Sequence, residues 1–378
     1  MKYYIIAGEA SGDLHASNLM KALKEQDGKA IFRCWGGDLM EAQGGELVKH
    51  YRDLAFMGFL EVLLNIRTIM RNLKFCREDI MSWQPDVLIL IDYPGFNLRM
   101  AEFASKLGFR VFYYISPQVW AWKKSRVHKI KKHVERMFVI LPFEKDFYAG
   151  YDYEVDFVGH PLLDAINDPA ADADSPIPGI PSDGRPVIAV LPGSRKQEIR
   201  KMLPVMLEMT KFFPAYRFVV AAAPSAPPRV YDMARDHAQV EIVTGKMHEL
   251  LGIARAAMVT SGTATLETAL FRVPEVVCYR GGWISYFIAR RLIRGIRFIS
   301  LVNLIMDREV VRELIQGDFN TTKLKTELAR LLNDEDYRGH MLSALDELRE
   351  RLGGPGASET TAALMYNRLI DKPGSRNP

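Results

Sequence analysis

Short, continuous apolar runs alternate with stretches of helical period along this chain. Tyr3–Ala7, residues 31–36, Val87–Ile91, Val111–Ile115, Met137–Leu141, Val187–Leu191, residues 217–222, residues 240–243 and Ala257–Thr260 are each of strand length, and residues 157–162 read as a strand running into a turn. Most are apolar throughout rather than at every second position. That is the mark of strands buried on both faces, as in a parallel sheet. Helical segments lie between them, the first from about Leu14 to Lys24. Such alternation predicts an α/β fold with Rossmann-like halves. Residues 167–186, NDPAADADSPIPGIPSDGRP, break the pattern with Pro, Gly, Asp and Ala and read as an interdomain connection. The expected domains are 1–164 and 165–355, with a cleft between two halves of similar size. Helices are expected at about 322–333, 334–352 and 358–370, with a disordered tail after Asp371.

A length of 378 residues agrees with two domains. A net charge of +4 is mild, and its distribution says more than its total. Cys34, Cys76 and Cys278 are far apart, form no CxxC and join no His cluster, so neither a disulfide framework nor a zinc site is indicated. A reducing compartment follows. Met1-Lys2 leads directly into a strand, so no signal peptide is expected. No uncharged stretch approaches the ~18 apolar residues of a membrane span. Contact with a membrane would be at its surface.

Chemistry concentrates where strands end. In VIAVLPGSRKQEI, 187–199, a strand runs through Pro192-Gly193-Ser194 into a helix start. Backbone N–H groups there, backed by a helix dipole, hold phosphate. Arg195 adds a guanidinium able to grip two oxygens. An ordinary βα turn with a solvated arginine accounts for PGSR equally well. Ser261-Gly262-Thr263, with Glu267 behind it, forms a second such turn after 257–260, and two in one half point to a diphosphate. Gly8-Glu9-Ala10-Ser11-Gly12-Asp13 opens the first half. It is not GxGxxG, and no acidic ribose hook ends the next strand, which disfavours a dinucleotide. Its small residues either admit a ligand to the backbone or make a tight turn. Asp92 ends a central strand beside Tyr93-Pro94-Gly95, well placed for a general base, or else for a helix cap.

Two segments suit a lipid surface. Residues 56–66, FMGFLEVLLNI, are apolar nearly all round a helix, with Leu60, Leu63, Leu64 and Ile66 among them, and Arg67, Arg71, Lys74 and Arg77 follow. Burial in the core is the plainer reading. Residues 283–299 combine aromatics with Arg290, Arg291, Arg294 and Arg297. The stretch from Lys123 to Arg136 is also strongly basic, but no nucleic-acid motif accompanies it.

GEASGD at 8–13, IDYPGFN at 91–97, SPQVWAW at 116–122, LPFE at 141–144, GHP at 159–161, LPGSR at 191–195, SGTATLE at 261–267, VNL at 302–304 and DREVV at 307–311 together resemble the lipid A disaccharide synthases. The resemblance covers nearly the whole chain in order. It implies a GT-B glycosyltransferase, two Rossmann-like domains facing across a cleft with a C-terminal helix, 356–371, returning to the first. The implied donor is UDP-2,3-diacylglucosamine, and the acceptor is 2,3-diacylglucosamine 1-phosphate. The products would be a β-1,6 tetraacyl disaccharide 1-phosphate and UDP. The implied location is cytoplasmic, peripheral on the inner face of the membrane, against an anionic surface. No metal, cofactor or nucleic acid is expected, and a homodimer is compatible.

On this reading Asp92 is the base and Arg195 stabilises the leaving group. Gly193, Ser194, Arg195, Ser261, Gly262, Thr263 and Asn303 contact the donor, with Glu267 or Glu309 on the ribose. Ser11, Gly12 and His15 are expected at the acceptor. Tyr93 and Gly95 depart from the family's usual Ala and Asp, which removes a second carboxylate from that loop. Three alternatives stand beside this one: a UDP-GlcNAc-type 2-epimerase of the same fold, an NAD-dependent oxidoreductase, and a non-catalytic membrane-surface module.

Overall fold

The computed structural model describes residues 1–53, 66–120, 124–166, 177, 180, 183–281 and 297–371. They fall into two compact units. One comprises Met1–Asp164 with the chain from Leu352 onward, the other Ala165–Arg351.

The first unit contains β1 (Lys2–Ala7), α1 (Ala10–Gln26), β2 (Ile31–Gly36), α2 (Asp38–Ala42), β3 (Glu46–His50), α3 (Ile66–Trp83), β4 (Val87–Ile91), α4 (Pro94–Lys106), β5 (Arg110–Tyr114), α5 (Arg126–His133), β6 (Arg136–Val139), α6 (Pro142–Ala149), β7 (Asp156–Phe157) and α7 (Leu162–Ala165). Its seven strands lie in the order β3-β2-β1-β4-β5-β6-β7, all parallel. β4 and all but the first residue of β1 are fully buried. This is why their sequences carry no alternation. The core takes in Tyr4, Trp35, Leu88, Leu90 and Tyr113. Its buried aromatic polar atoms are paired, Trp35 Nε1 donating to Tyr4 Oη at 2.8 Å and Tyr4 Oη to Asp79 at 2.7 Å.

The second unit contains β8 (Val187–Leu191), α8 (Lys196–Leu207), β9 (Arg217–Ala222), α9 (Asp232–Arg235), β10 (Val240–Thr244), α10 (Met247–Ile253), β11 (Ala254–Thr260), α11 (Thr263–Leu270), β12 (Glu275–Tyr279), α12 (Leu301–Met306), β13 (Arg312–Ile315), α13 (Thr321–Asn333) and α14 (Glu335–Arg351). Its parallel strands run β10-β9-β8-β11-β12-β13. Both sheets therefore start in the middle and wind outward twice, the doubly wound order.

The final helix, α15 (Ala357–Asp371), belongs to the first unit and packs on α1. Asp164 caps it, accepting from the N–H groups of Gly356, Ala357 and Ser358 at 2.7, 3.1 and 2.8 Å. The return is turned by Gly353, Gly354 and Gly356, with φ of 89°, 77° and 103°, values that a side chain would resist.

Strands β3, β12 and β13 are absent from the expectations above. β3 (ELVKH) and β13 (RELI) lie at sheet edges, only partly buried, and carry neither an unbroken apolar run nor a regular alternation. β12 opens on Glu275, a fully buried carboxyl whose proton affinity burial raises well above normal.

Candidate active site

Strand order reverses between β1 and β4 in the first unit and between β8 and β11 in the second. In such sheets ligands bind beyond the carboxyl ends of the strands at that reversal. Four segments lie there: Gly8-Glu9, Asp92-Tyr93, Gly193–Arg195 and Ser261–Thr263.

Asp92 follows β4 directly. Its backbone is clamped from three sides. Its N–H donates to Tyr114 O at 3.2 Å. Its carbonyl accepts from Tyr113 Oη at 2.5 Å and from Asn97 Nδ2 at 2.7 Å. Asp92 and Tyr93 have φ of 42° and 50°, a left-handed conformation costly for non-glycine residues and found where the surroundings over-determine it. Ile115, after the neighbouring β5, stands at 65°. Gly8 explains part of the crowding, since a Cβ there would lie 2.3 Å from the Tyr93 ring. The Asp92 carboxyl is pushed up to about 6, first by burial and then by the nearby Glu9 charge. A half-buried carboxylate with that proton affinity suits general-base work near neutral pH. Glu9 is a member of the site that the sequence reading passed over.

The rest of the Gly8–Asp13 turn divides. Ser11 is exposed on the first turn of α1. Gly12 is buried, and a Cβ there would meet Ala7 Cβ at 3.2 Å, so it lets helix and strand pack. Asp13 is buried and accepts from Gly37, Leu39 and Met40 N–H groups at 2.7, 3.2 and 3.2 Å, capping α2. His15 is buried, and burial pushes its imidazole down to about 4. Gly12 and His15 thus face inward, and the His15 Nδ1 atom is buried with no hydrogen-bond partner among the described residues.

In the second unit, Gly193 has φ of 105°, and a Cβ would lie 2.9 Å from Glu198 Oε2. Glycine is required there. Ser194 and Arg195 are exposed ahead of α8. Glu198 reaches back to the Arg195 backbone N–H at 3.4 Å and to its guanidinium at 3.0 Å. Ser261, Gly262 and Thr263 lead into α11, with Ser261 N–H on Cys278 O at 3.0 Å and Ser261 Oγ on Ile299 O at 3.3 Å. Two helix N-termini thus open at one sheet edge, with hydroxyls and a guanidinium among them, the equipment for a diphosphate.

Glu267 lies one turn into α11, on the side of Thr263, and pairs with His248. Glu309 instead precedes β13, toward the amino side of the sheet, and binds Arg312 at 2.8 Å. Asn303 is fully buried. Its oxygen accepts from Val310 and Val311 N–H groups, and its amide donates to Val311 O and Glu313. All four hydrogen-bonding positions of its side-chain amide are thereby taken within the protein, and a donor contact through that side chain would have to displace one of them. Glu313, also unforeseen, accepts from the N–H groups of Ile299 and Ser300 and so fixes the segment that receives Ser261.

Leu60, Leu63, Leu64, Trp122, the linker 167–176 and Arg290, Arg291 and Arg294 lie outside the described residues, as does the side chain of Ile66. Among the described residues no His, Cys, Asp and Glu cluster could hold a metal, and no helix is long and apolar enough to cross a membrane.

The family model for lipid-A-disaccharide synthetase matches residues 3–363. This chain belongs to that family. The lipid-A-disaccharide synthase of Myxococcus xanthus is 40% identical over 372 residues, covering 97% of each chain. That of Geobacter metallireducens is 37% identical over 375 residues, again covering 97% of each. In fold, the chain is similar to the UDP-GlcNAc 2-epimerase of Neisseria meningitidis, solved bound to UDP-GlcNAc, with a TM-score of 0.66, 12% identity, and coverage of 98% of this chain and 100% of that one. It is similar to the glycotransferase of kitacinnamycin with a TM-score of 0.67, 14% identity, and coverage of 97% and 99%. The fold is thus that of the two-domain glycosyltransferases and epimerases. Membership of the synthase family decides against the epimerase, the oxidoreductase and the non-catalytic module.

Proposed function

We propose that Asp92 is the base and that the Gly193–Arg195 and Ser261–Thr263 turns hold the diphosphate in the glycosyl transfer of lipid A biosynthesis. The donor is UDP-2,3-diacylglucosamine and the acceptor 2,3-diacylglucosamine 1-phosphate. Asp92 takes the proton of the acceptor 6-hydroxyl. That oxygen forms a bond to the anomeric carbon as the bond to the UDP oxygen breaks on the opposite face, with inversion. Arg195 and the N–H groups of the two turns stabilise charge growing on the departing diphosphate. Ser11, exposed at the positive end of α1, is positioned for the acceptor phosphate. Glu267 takes the ribose hydroxyls, because it stands one turn behind a phosphate-binding helix start and Glu309 stands on the far side of the sheet.

The observation that carries this reading is the chemistry at the two strand-order reversals. One has a clamped carboxylate of raised proton affinity, the other anion-binding turns. The test is UDP release. The diacylglucosamine pair should yield UDP, and UDP-GlcNAc alone should yield none. Isomerisation of UDP-GlcNAc without an acceptor would overturn it.

Membrane contact forms a separate part of the reading. On α3, Met70 and Phe75 are 59% and 44% exposed, with Arg67, Arg71 and Lys74 exposed beside them. Apolar and basic side chains on one helix suit an anionic bilayer, where two lipid substrates would be met. High salt, or Leu63→Glu with Leu64→Glu, should release the protein from anionic liposomes. Absence of binding at low salt would contradict it.

A further inference from the structure

Glu267 is held by a neighbour on another helix. His248, in the first turn of α10, places Nε2 3.2 Å from Glu267 Oε2. An ionised carboxylate only accepts, so the imidazole donates with its proton on Nε2. The His248 ring lies against Phe271, just beyond the end of α11, with centroids 5.1 Å apart and planes tilted by 38°. Swinging the ring away would break that contact as well as the hydrogen bond. The pair sits at a rim, with Glu267 15% and His248 35% exposed. Among the described residues no other side chain donates to the Glu267 carboxylate.

A glutamate on a helix has three side-chain torsions, and ordering them on ligand binding costs conformational entropy. A partner that already fixes one oxygen removes most of that cost and leaves the second oxygen in a defined direction. Both helices start at the carboxyl edge of the same sheet, after β10 and β11, the edge at which such sheets bind ligands.

We propose that His248 is a positioning residue for nucleoside recognition. It binds one oxygen of Glu267 and turns the other toward the ribose hydroxyls of the uridine nucleotide. Preference for ribose over deoxyribose then depends on a histidine that does not itself touch the ligand. The inference rests on the placement of Glu267 at the ribose given under Proposed function.

The test measures dissociation constants of UDP, 2′-deoxy-UDP and 3′-deoxy-UDP with the full chain by titration calorimetry. The wild-type protein should bind UDP about tenfold more tightly than at least one deoxynucleotide, the usual scale of a charge-assisted hydrogen bond. Glu267→Gln should abolish that preference. His248→Ala should cut it to about twofold or less with little change for the deoxynucleotide, and His248→Gln, whose amide can replace Nε2, should restore most of it. Full preference in His248→Ala, or equal weakening of all three ligands, would overturn the positioning role while leaving Glu267 in place. Full preference in Glu267→Gln, or none in the wild type, would instead overturn the ribose assignment and this inference with it.

Discussion

The two units share one topology and use it for opposite chemistry. At the reversal of the first sheet stand two carboxylates, Glu9 on extended backbone and Asp92 on backbone forced left-handed without glycine. At the reversal of the second stand Gly193, Gly262, hydroxyls and Arg195. The difference matches the roles proposed for the two edges. A base needs a side chain fixed in direction and made reluctant to lose its proton, which clamping by Tyr113 and Asn97 and partial burial supply. A phosphate cradle needs its backbone bare, which glycine at φ of 105° supplies. On the proposed reading, the strain at Asp92 and Tyr93 belongs to the edge that carries the base, and the open backbone to the edge that holds the diphosphate.

Substitutions on each side sharpen this contrast. On the binding edge, Arg195→Ala should slow transfer by about 10²–10³, the usual loss for one donor to a developing oxyanion, and weaken UDP binding in calorimetry. Unchanged UDP affinity would separate Arg195 from the diphosphate. On the first unit, Asp13→Ala removes three hydrogen bonds that cap α2. It should lower stability by about 2–3 kcal/mol in urea unfolding, while UDP affinity of the folded fraction stays the same.

A third effect has the opposite sign. The folded-state affinity of Asp92 for its proton is raised, to about 6. Its stability contribution is therefore full below the ordinary carboxylate range and is lost as pH rises through about 6. Asp92→Asn should accordingly stabilise the protein at pH 8, by up to roughly 3 kcal/mol, and most of the gain should be gone at pH 4. Equal thermal shifts at both pH values would show that Asp92 carries no desolvation cost. The smallest effect is expected at Ser261→Ala, which removes one hydroxyl bond to Ile299 O. UDP affinity should fall by only about threefold to tenfold, and a loss as large as that of Arg195→Ala would place Ser261 directly on the diphosphate.

Most strands and both turn-and-helix starts were legible because they are written in contiguous residues. Val87–Ile91 and Val187–Leu191 are buried on both faces and read as unbroken apolar runs. The edge strands β3 and β13 were not, because Glu46–His50 and Arg312–Ile315 show neither an apolar run nor a period of two and depend on neighbours distant in sequence. The residue types after each strand pointed to Asp92 and Arg195, and the structure sets both beyond the carboxyl ends of strands at the reversals of strand order. The inward turn of Gly12 and His15 depends on how α1 lies on β1, and the saturation of Asn303 depends on Val310, Val311 and Glu313 arriving from the next strand. Neither is encoded in local spacing. His248 was invisible for the same reason, since its partner lies 19 residues further along the chain.

The division of labour between the two edges is tested most directly by measuring transfer rate and UDP affinity on the same Asp92→Asn protein. Turnover should fall by about 10²–10⁴, the range for loss of a general base, and the dissociation constant for UDP should equal that of the wild type. Turnover close to wild type would contradict the account.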